Sequence, residues 1–513
     1  MILDSLSWST SFVVVALTGL LLLLQRYASP SLDPLEPPLL KPRVPLVGHI
    51  ISMLQEGSSF YVRLFKERPL PISTLPVLNG KLYVVNSPDL IQSALRNNDI
   101  SFDPFLVEFS VSMWGISENA AKCIQNRENL NGGLNIIHAN TMGEPVQRLN
   151  LGSLTRLMTY LNHIQPQENL DVPDVSVWLR DILTDATATA LYGEENPLTL
   201  EKSELLWTFD KHSMAAAFGI PDFFIRKATN ARRELNKMLL NYYQTGGDRG
   251  QGVSELIKQR TVFLRSSGFT DEDLSTMELM LLWVGVTNTA PALFWLFAHV
   301  LTNPEYTSRV QAEISAITTI EHRPDGRTAT VDIKQLEKSC PFFNACLQET
   351  LRLYLHSVGN RRVMQDTKIQ DADGRKYLLK KGYNIQWPPS VTHFTSGVWG
   401  SDVETFRPER VLDATAQDEK NRRGSMLSFG GGKNLCPGRK FAQTEMLGFV
   451  GVVALGFEVE GLKLPRWKDA GVGAGPRAPD WGSVDAGVRL KKKSGWEDVT
   501  WSFKSQEPSE LRQ

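Results

Sequence analysis

Phe429-Gly430-Gly431-Gly432-Lys433-Asn434-Leu435-Cys436-Pro437-Gly438-Arg439 is the stretch on which the reading of this chain turns. A glycine run delivers a single cysteine, and an apolar helical segment, Phe441 to Leu455, follows at once. Glycine lets the backbone approach a flat ligand closely and adopt positive φ. Amide hydrogens at a helix start stabilise a thiolate sulfur. A cysteine that ligates haem iron needs both, because an electron-rich thiolate promotes O–O cleavage. A phosphate loop would read GxxxxGK[ST], but Leu427 stands where its first glycine belongs and Asn434 where its Ser or Thr belongs. The competing structural reading is an inert buried cysteine, the commoner fate of a lone thiol.

Outward from this loop, composition is ordinary for a folded protein. The 513 residues carry 55 Lys+Arg against 56 Asp+Glu, a formal net charge of −1, which argues against nucleic-acid binding. Four cysteines, Cys123, Cys340, Cys346 and Cys436, show no CxxC spacing, so neither a disulfide framework nor a structural zinc site is supported. A reducing compartment is expected. Ser5 to Gln25 is free of charge, and Phe12 to Leu24 is almost wholly apolar. At about 1.5 Å per residue such a run spans a bilayer. Asp4 stands where a signal peptide would be basic, and Arg26, Lys41 and Arg43 follow the span. Residues 1–28 are therefore read as an uncleaved single-pass anchor with the bulk of the chain on the cytosolic side. Pro30, Pro34, Pro37, Pro38, Pro42 and Pro45 make residues 29–48 a stiff, extended hinge, and 49–513 a single remaining unit. That unit is mainly α with a small β component. Glu234 to Tyr243 and Tyr306 to Ile320 read as helical, Lys81 to Val85 and Thr367 to Gln370 as extended, and Gly246 to Gly252 as a loop.

With Phe429, Gly432, Cys436 and Gly438 in place, the loop resembles the FxxGxRxCxG haem loop of the cytochrome P450 family, the haem-thiolate monooxygenases. The motif's arginine, a haem-propionate partner in the family, is here Asn434, with Lys433 beside it. Glu349-Thr350-Leu351-Arg352 matches the family's ExxR, and its i, i+3 spacing puts Glu and Arg on one helix face. Phe406-Arg407-Pro408-Glu409-Arg410 matches FxPxR. The resemblance implies that Arg410 joins Glu349 and Arg352 in a buried cluster, and that Arg361 is a second propionate partner. It also implies the P450 fold behind an N-terminal transmembrane helix, and haem b with the Cys436 thiolate as axial ligand.

Asp271 to Leu301 reads as one long helix started by a capping box at Thr270. Its uncharged run, Leu279 to Ala298, is read as a helix buried in a core rather than a second membrane span. Thr287, Asn288, Thr289 and Pro291 in mid-run point to a locally opened helix beside a ligand. The family pattern AGx[DE]T[TS] meets Val284-Gly285-Val286-Thr287-Asn288-Thr289, so the acid is replaced by Thr287 and the oxygen-activating threonine by Asn288. This run resembles the branch containing bile-acid sterol hydroxylases and prostacyclin synthase, while the Phe429 to Ala442 loop is similar to fungal members. An amide cannot supply net protons, although Asn288 can donate a hydrogen bond and hold a water. Thr287, Asn288 and Thr289 are the candidate catalytic residues.

The expectation is thus a monooxygenase of hydrophobic small molecules (sterol, terpenoid or polyketide-like) in lipid or secondary-metabolite biosynthesis. It would use O2 and electrons from an NADPH-cytochrome P450 reductase at the endoplasmic reticulum membrane. Lys420, Arg422, Arg423, Lys433, Arg439 and Lys440 are a candidate docking face for that reductase. Two alternatives stand beside it: an isomerase or dehydratase working without reductase on the same haem, and a non-catalytic haem lipid-binding protein.

Overall fold

Long apolar stretches of the sequence become the helices at the centre of the molecule. The computed structural model describes residues 31–505 except 44–46, 79, 325 and 469–474. The expected anchor, residues 1–28, lies outside the described residues. Six helices position the site: α1 (Gly143–Asn162), α2 (Val175–Tyr192), α3 (Asp271–Val286), α4 (Thr289–Leu301), α5 (Pro341–Tyr354) and α6 (Arg439–Gly456). α4 is apolar all round because it is buried all round: Leu293, Trp295, Leu296 and Phe297 are fully enclosed. Phe449, Val450 and Val453 of α6 are enclosed in the same core. Each such side chain contributes about 2 kcal/mol of burial free energy.

Thr270 and Asp273 form the expected capping box at the start of α3. The reading of one long helix to Leu301, locally opened in mid-run, holds: Asp271–Leu301 is one helical run, interrupted by a turn at Thr287 and Asn288. Pro291 has no N–H to give the carbonyl of Thr287, and its ring crowds that turn. Tyr306 to Ile320 is corrected: helix ends at Ala316, and Thr318–Arg323 is a strand. The β-branched Thr318, Thr319 and Ile320 pair antiparallel with Gly326–Asp332, where tertiary pairing overrides the helical period. The other segments follow the sequence reading, with Thr367–Gln370 a strand and Arg226–Gln244 a helix.

A five-stranded sheet flanks the helices. Its members are β1 (Ile72–Val77), β2 (Gly80–Val85), β3 (Ile100–Ser101), β4 (Gly359–Val363) and β5 (Asn384–Trp387), in the order β1-β2-β5-β4-β3. β5 runs parallel to β2 and antiparallel to β4. The described part of the proline-rich segment docks on this sheet and is no free spacer. Leu40 N–H donates to the Thr74 carbonyl at 2.9 Å, and Thr74 N–H to the Pro38 carbonyl at 2.8 Å. Lys81 pairs with Glu36, both side chains buried. Prolines suit such an edge because they lack the donor that an outer partner would need.

Candidate active site

Cys436 lies just ahead of α6, whose N-cap is Gly438. Its own N–H donates to the Phe429 carbonyl at 2.9 Å, closing the loop on itself. Gly432 has φ +62°, and a Cβ there would sit 2.8 Å from the Leu95 carbonyl oxygen. This glycine is needed both for its conformation and for the close approach. Burial pushes the Cys436 thiol up, while the amides of Gly438 and Arg439 and the Arg439 charge pull it down. Burial, with the Glu313 charge adding to it, drives Cys340 up to about 12. Cys436 has two amides, of Gly438 and Arg439, and a positive charge favouring its thiolate.

Behind the loop lies the predicted cluster, fully buried. Arg352 donates from Nε and Nη2 to the two Glu349 oxygens at 2.8 and 2.7 Å. Arg410 Nε reaches Glu349 Oε1 at 3.3 Å, and its Nη1 reaches Asp402 at 2.7 Å. Arg352 Nη1 also donates to the carbonyls of His393 and Val403, both at 2.8 Å. A surface i, i+3 pair would contribute little. This one is sealed at 0% and 1% side-chain exposure, so its charges must be matched inside the protein.

Sequence reasoning missed His393. Its Nδ1 donates to the Arg352 carbonyl at 2.8 Å, and its Nε2 accepts the Leu427 N–H at 3.1 Å. Ser428 Oγ donates to the Leu351 carbonyl at 3.2 Å, so the strand of chain entering the cysteine loop hangs on α5. A lone histidine outside any motif carries no signal in one sequence.

Arg361, on β4, is buried rather than a surface arginine. Its guanidinium donates to the Asn360 carbonyl at 2.7 Å and is flanked by the rings of Phe102 and Trp387. It forms no ion pair among the described residues, and burial pushes its pKa down to about 10. A buried cation short of acceptors fits an anionic group such as a haem propionate. Asn434 ends the short Gly432–Asn434 turn, and its side chain makes no hydrogen bond among the described residues. Lys433 is turned away to Asn98 at 2.5 Å.

On the other side, Thr287 Oγ1 donates to the Trp283 carbonyl at 2.9 Å and Thr289 Oγ1 to the Gly285 carbonyl at 2.9 Å. Both hydroxyls thus close carbonyls around the helix break. They are buried, whereas Asn288 is half-buried and its side chain makes no hydrogen bond among the described residues. Val284 is 50% exposed near the end of α3, so an open space lies beside it. Met280, Val284 and Asn288 share that face at i, i+4 spacing. The structure therefore separates the predicted trio: the two threonine hydroxyls are spent on backbone carbonyls, and the Asn288 amide has no hydrogen bond among the described residues.

The chain matches the family model Cytochrome P450 over residues 37–470. The chain belongs to the cytochrome P450 family. A cytochrome P450 monooxygenase of Gibberella zeae is 34% identical over 96% of this chain and 95% of its own length. Mouse cytochrome P450 7B1 is 22% identical over 84% and 85%, and human prostacyclin synthase 27% over 44% and 47%. Both mammalian matches and the fungal one agree with the branch and the loop read from the sequence. A crystal structure of a cytochrome P450 superposes with a TM-score of 0.66 at 18% identity, covering 90% of this chain and all of that one, which shows the fold. The cofactor of this P450 monooxygenase is haem, its iron held by the Cys436 thiolate. Bound to that iron, the Cys436 sulfur would be held as the thiolate, the form that the Gly438 and Arg439 amides favour.

The basic face around the loop is smaller than the sequence suggests. Arg422 Nη1 turns inward to the Arg410 carbonyl at 2.8 Å, Arg439 caps the Cys436 carbonyl at 3.1 Å, and Lys440 pairs with Glu337. Lys420 and Arg423 remain exposed.

Proposed function

We propose that this P450 is a membrane-anchored monooxygenase oxidising a hydrophobic sterol, terpenoid or polyketide-like molecule in fungal-type secondary or lipid metabolism. The observation that carries the reading is the open space beside the half-exposed Val284 on α3, one turn before Asn288 at the helix opening; this space is here called the chamber. Bound haem supplies dioxygen activation there. Cys436 holds the iron through its thiolate, and Gly438 and Arg439 hold that sulfur's charge with their amides. Arg361 offers the cation for one propionate. Asn288, free of other partners among the described residues, would orient a water or the substrate by its amide N–H. Residues 1–28 would fix the domain to the endoplasmic reticulum membrane, and Lys420 and Arg423 would help dock an acidic reductase.

The test is consumption of NADPH, through a cytochrome P450 reductase, coupled to product in extracts profiled from a gene-deletion strain. Product that forms only with reductase supports the reading. Asn288 also favours a second one, a rearrangement that needs no net proton delivery. Turnover of a hydroperoxide without reductase would support that reading instead.

A further inference from the structure

Helix Ser203–Ala217 carries one carboxyl that no ion pair among the described residues explains, Asp210. It faces α3, where the indole N–H of Trp283 donates to Asp210 Oδ1 at 2.7 Å. Its other oxygen makes no hydrogen bond among the described residues and is not among the sealed, unpartnered atoms. The surroundings are aromatic. Trp114 lies edge-on to Trp283 at 5.5 Å between ring centroids, and 5.0 Å from Phe209. The turn that carries Trp114, Ser110–Trp114, also touches the chamber-facing Met280 through Ser110. The Ser110–Trp114 turn thus meets both Trp283 and Met280, which sets the Asp210–Trp283 pair beside the face of α3 that carries Met280 and the half-exposed Val284. Burial pushes the carboxyl up to about 6, against the hydrogen bond from Trp283. A ligand hydroxyl can replace water as the donor to that open oxygen.

We infer that Asp210 is a substrate-recognition residue that accepts a hydroxyl group of an otherwise hydrophobic substrate on the carboxyl oxygen left open by Trp283. This rests on the reading of the chamber as the substrate site. It narrows the substrate class to a hydrophobic alcohol that is already hydroxylated before it meets this enzyme. The reaction supplying it is accordingly one that leaves a free hydroxyl, such as an earlier hydroxylation or the hydrolysis of an ester.

Ligands that anchor on iron test this without the natural substrate. The haem-loaded, full-length protein is titrated with imidazolyl alkanes of increasing chain length and with the matching alkanols that end in a hydroxyl, and the Soret shift is followed. At the length that reaches Asp210, the alkanol should bind about tenfold more tightly than the alkane, or about 1.4 kcal/mol. Asp210→Leu should abolish that preference while leaving alkane affinity within about twofold, and Asp210→Asn should restore part of it. If Asp210→Leu does not retain haem, Trp283→Phe serves in its place, and its loss of the orienting indole should reduce the preference severalfold. Equal binding of alkanol and alkane at every length, or a preference that survives in Asp210→Leu, would overturn the inference. A merely structural tie between the two helices gives that same surviving pattern together with lowered stability. Absence of any azole-induced Soret shift would instead overturn the haem-chamber reading itself.

Discussion

The Nε2 atom of His393 accepts the backbone N–H of Leu427 at 3.1 Å, and this bond joins the ExxR helix to the cysteine loop. The opposite ring nitrogen donates to the Arg352 carbonyl, so the neutral ring is held in one tautomer. Replacing His393 by Phe leaves a buried donor and a buried acceptor unpaired, at a cost of about 2–3 kcal/mol. Denaturant unfolding should show that loss, with faster release of haem from the variant.

The same residue makes the fold acid-sensitive. Burial lowers His393 to about 3, and likewise His299, which lies 2.7 Å from the Tyr354 hydroxyl. Both pKa values fall below the ordinary 6.5, so the folded state binds fewer protons than the unfolded one. Their contribution is complete above that ordinary value and is lost as pH falls through it toward about 3. Stability measured across this window should decline less steeply in His393→Phe.

Glu349 answers two buried guanidinium groups, of Arg352 and Arg410. Glu349→Gln keeps the shape and removes the charge, leaving Arg352 without a counter-ion. Removing one partner from a buried pair costs about 3–5 kcal/mol. The variant should accumulate without haem, as seen in the ratio of Soret to protein absorbance. Unaltered haem content and melting temperature would show that the cluster is dispensable.

Glu445 of α6 is fully buried between α1 and α2, where the hydroxyls of Ser153 and Thr187 donate to one of its oxygens and the other has no partner among the described residues. Burial raises its pKa to about 8. The folded state therefore binds the extra proton, and the stabilisation is complete below the ordinary 4.5 and lost as pH rises through about 8. Between pH ~7 and ~9, above the window in which His393 and His299 titrate, Glu445→Gln should lose less stability than the wild type.

Thr287, Asn288 and Thr289 divide by role. Thr287→Val and Thr289→Val each remove one hydroxyl-to-carbonyl bond and should lower stability by about 1 kcal/mol. Asn288→Ala should leave stability unchanged and instead alter the coupling of NADPH consumption to product. Equal stability effects at all three positions would contradict this division.

How much of this was legible beforehand follows from where the information lies. Cys436, Glu349, Arg352 and Arg410 were readable because each belongs to a motif whose spacing a helix or a glycine turn imposes. That Arg361 would be buried beside Phe102 and Trp387 was not, since those rings come from distant parts of the chain. The strand at Thr318–Arg323 was hidden because it depends on pairing with Gly326–Asp332, a tertiary term that outweighs a helical period. His393 and Asp210 were invisible for a related reason. Their partners, Leu427 and Trp283, are 34 and 73 residues away, and a single histidine or aspartate has no period.

The central claim is that Cys436 is the thiolate ligand of haem in a P450 monooxygenase, and the reduced, CO-bound absorption spectrum tests it most directly. The wild-type protein should show the red-shifted Soret band of thiolate-ligated haem, and Cys436→Ser should lose that band together with most of its haem. A thiolate-type band that persists in Cys436→Ser, or a wild-type protein that binds no haem, would contradict the account.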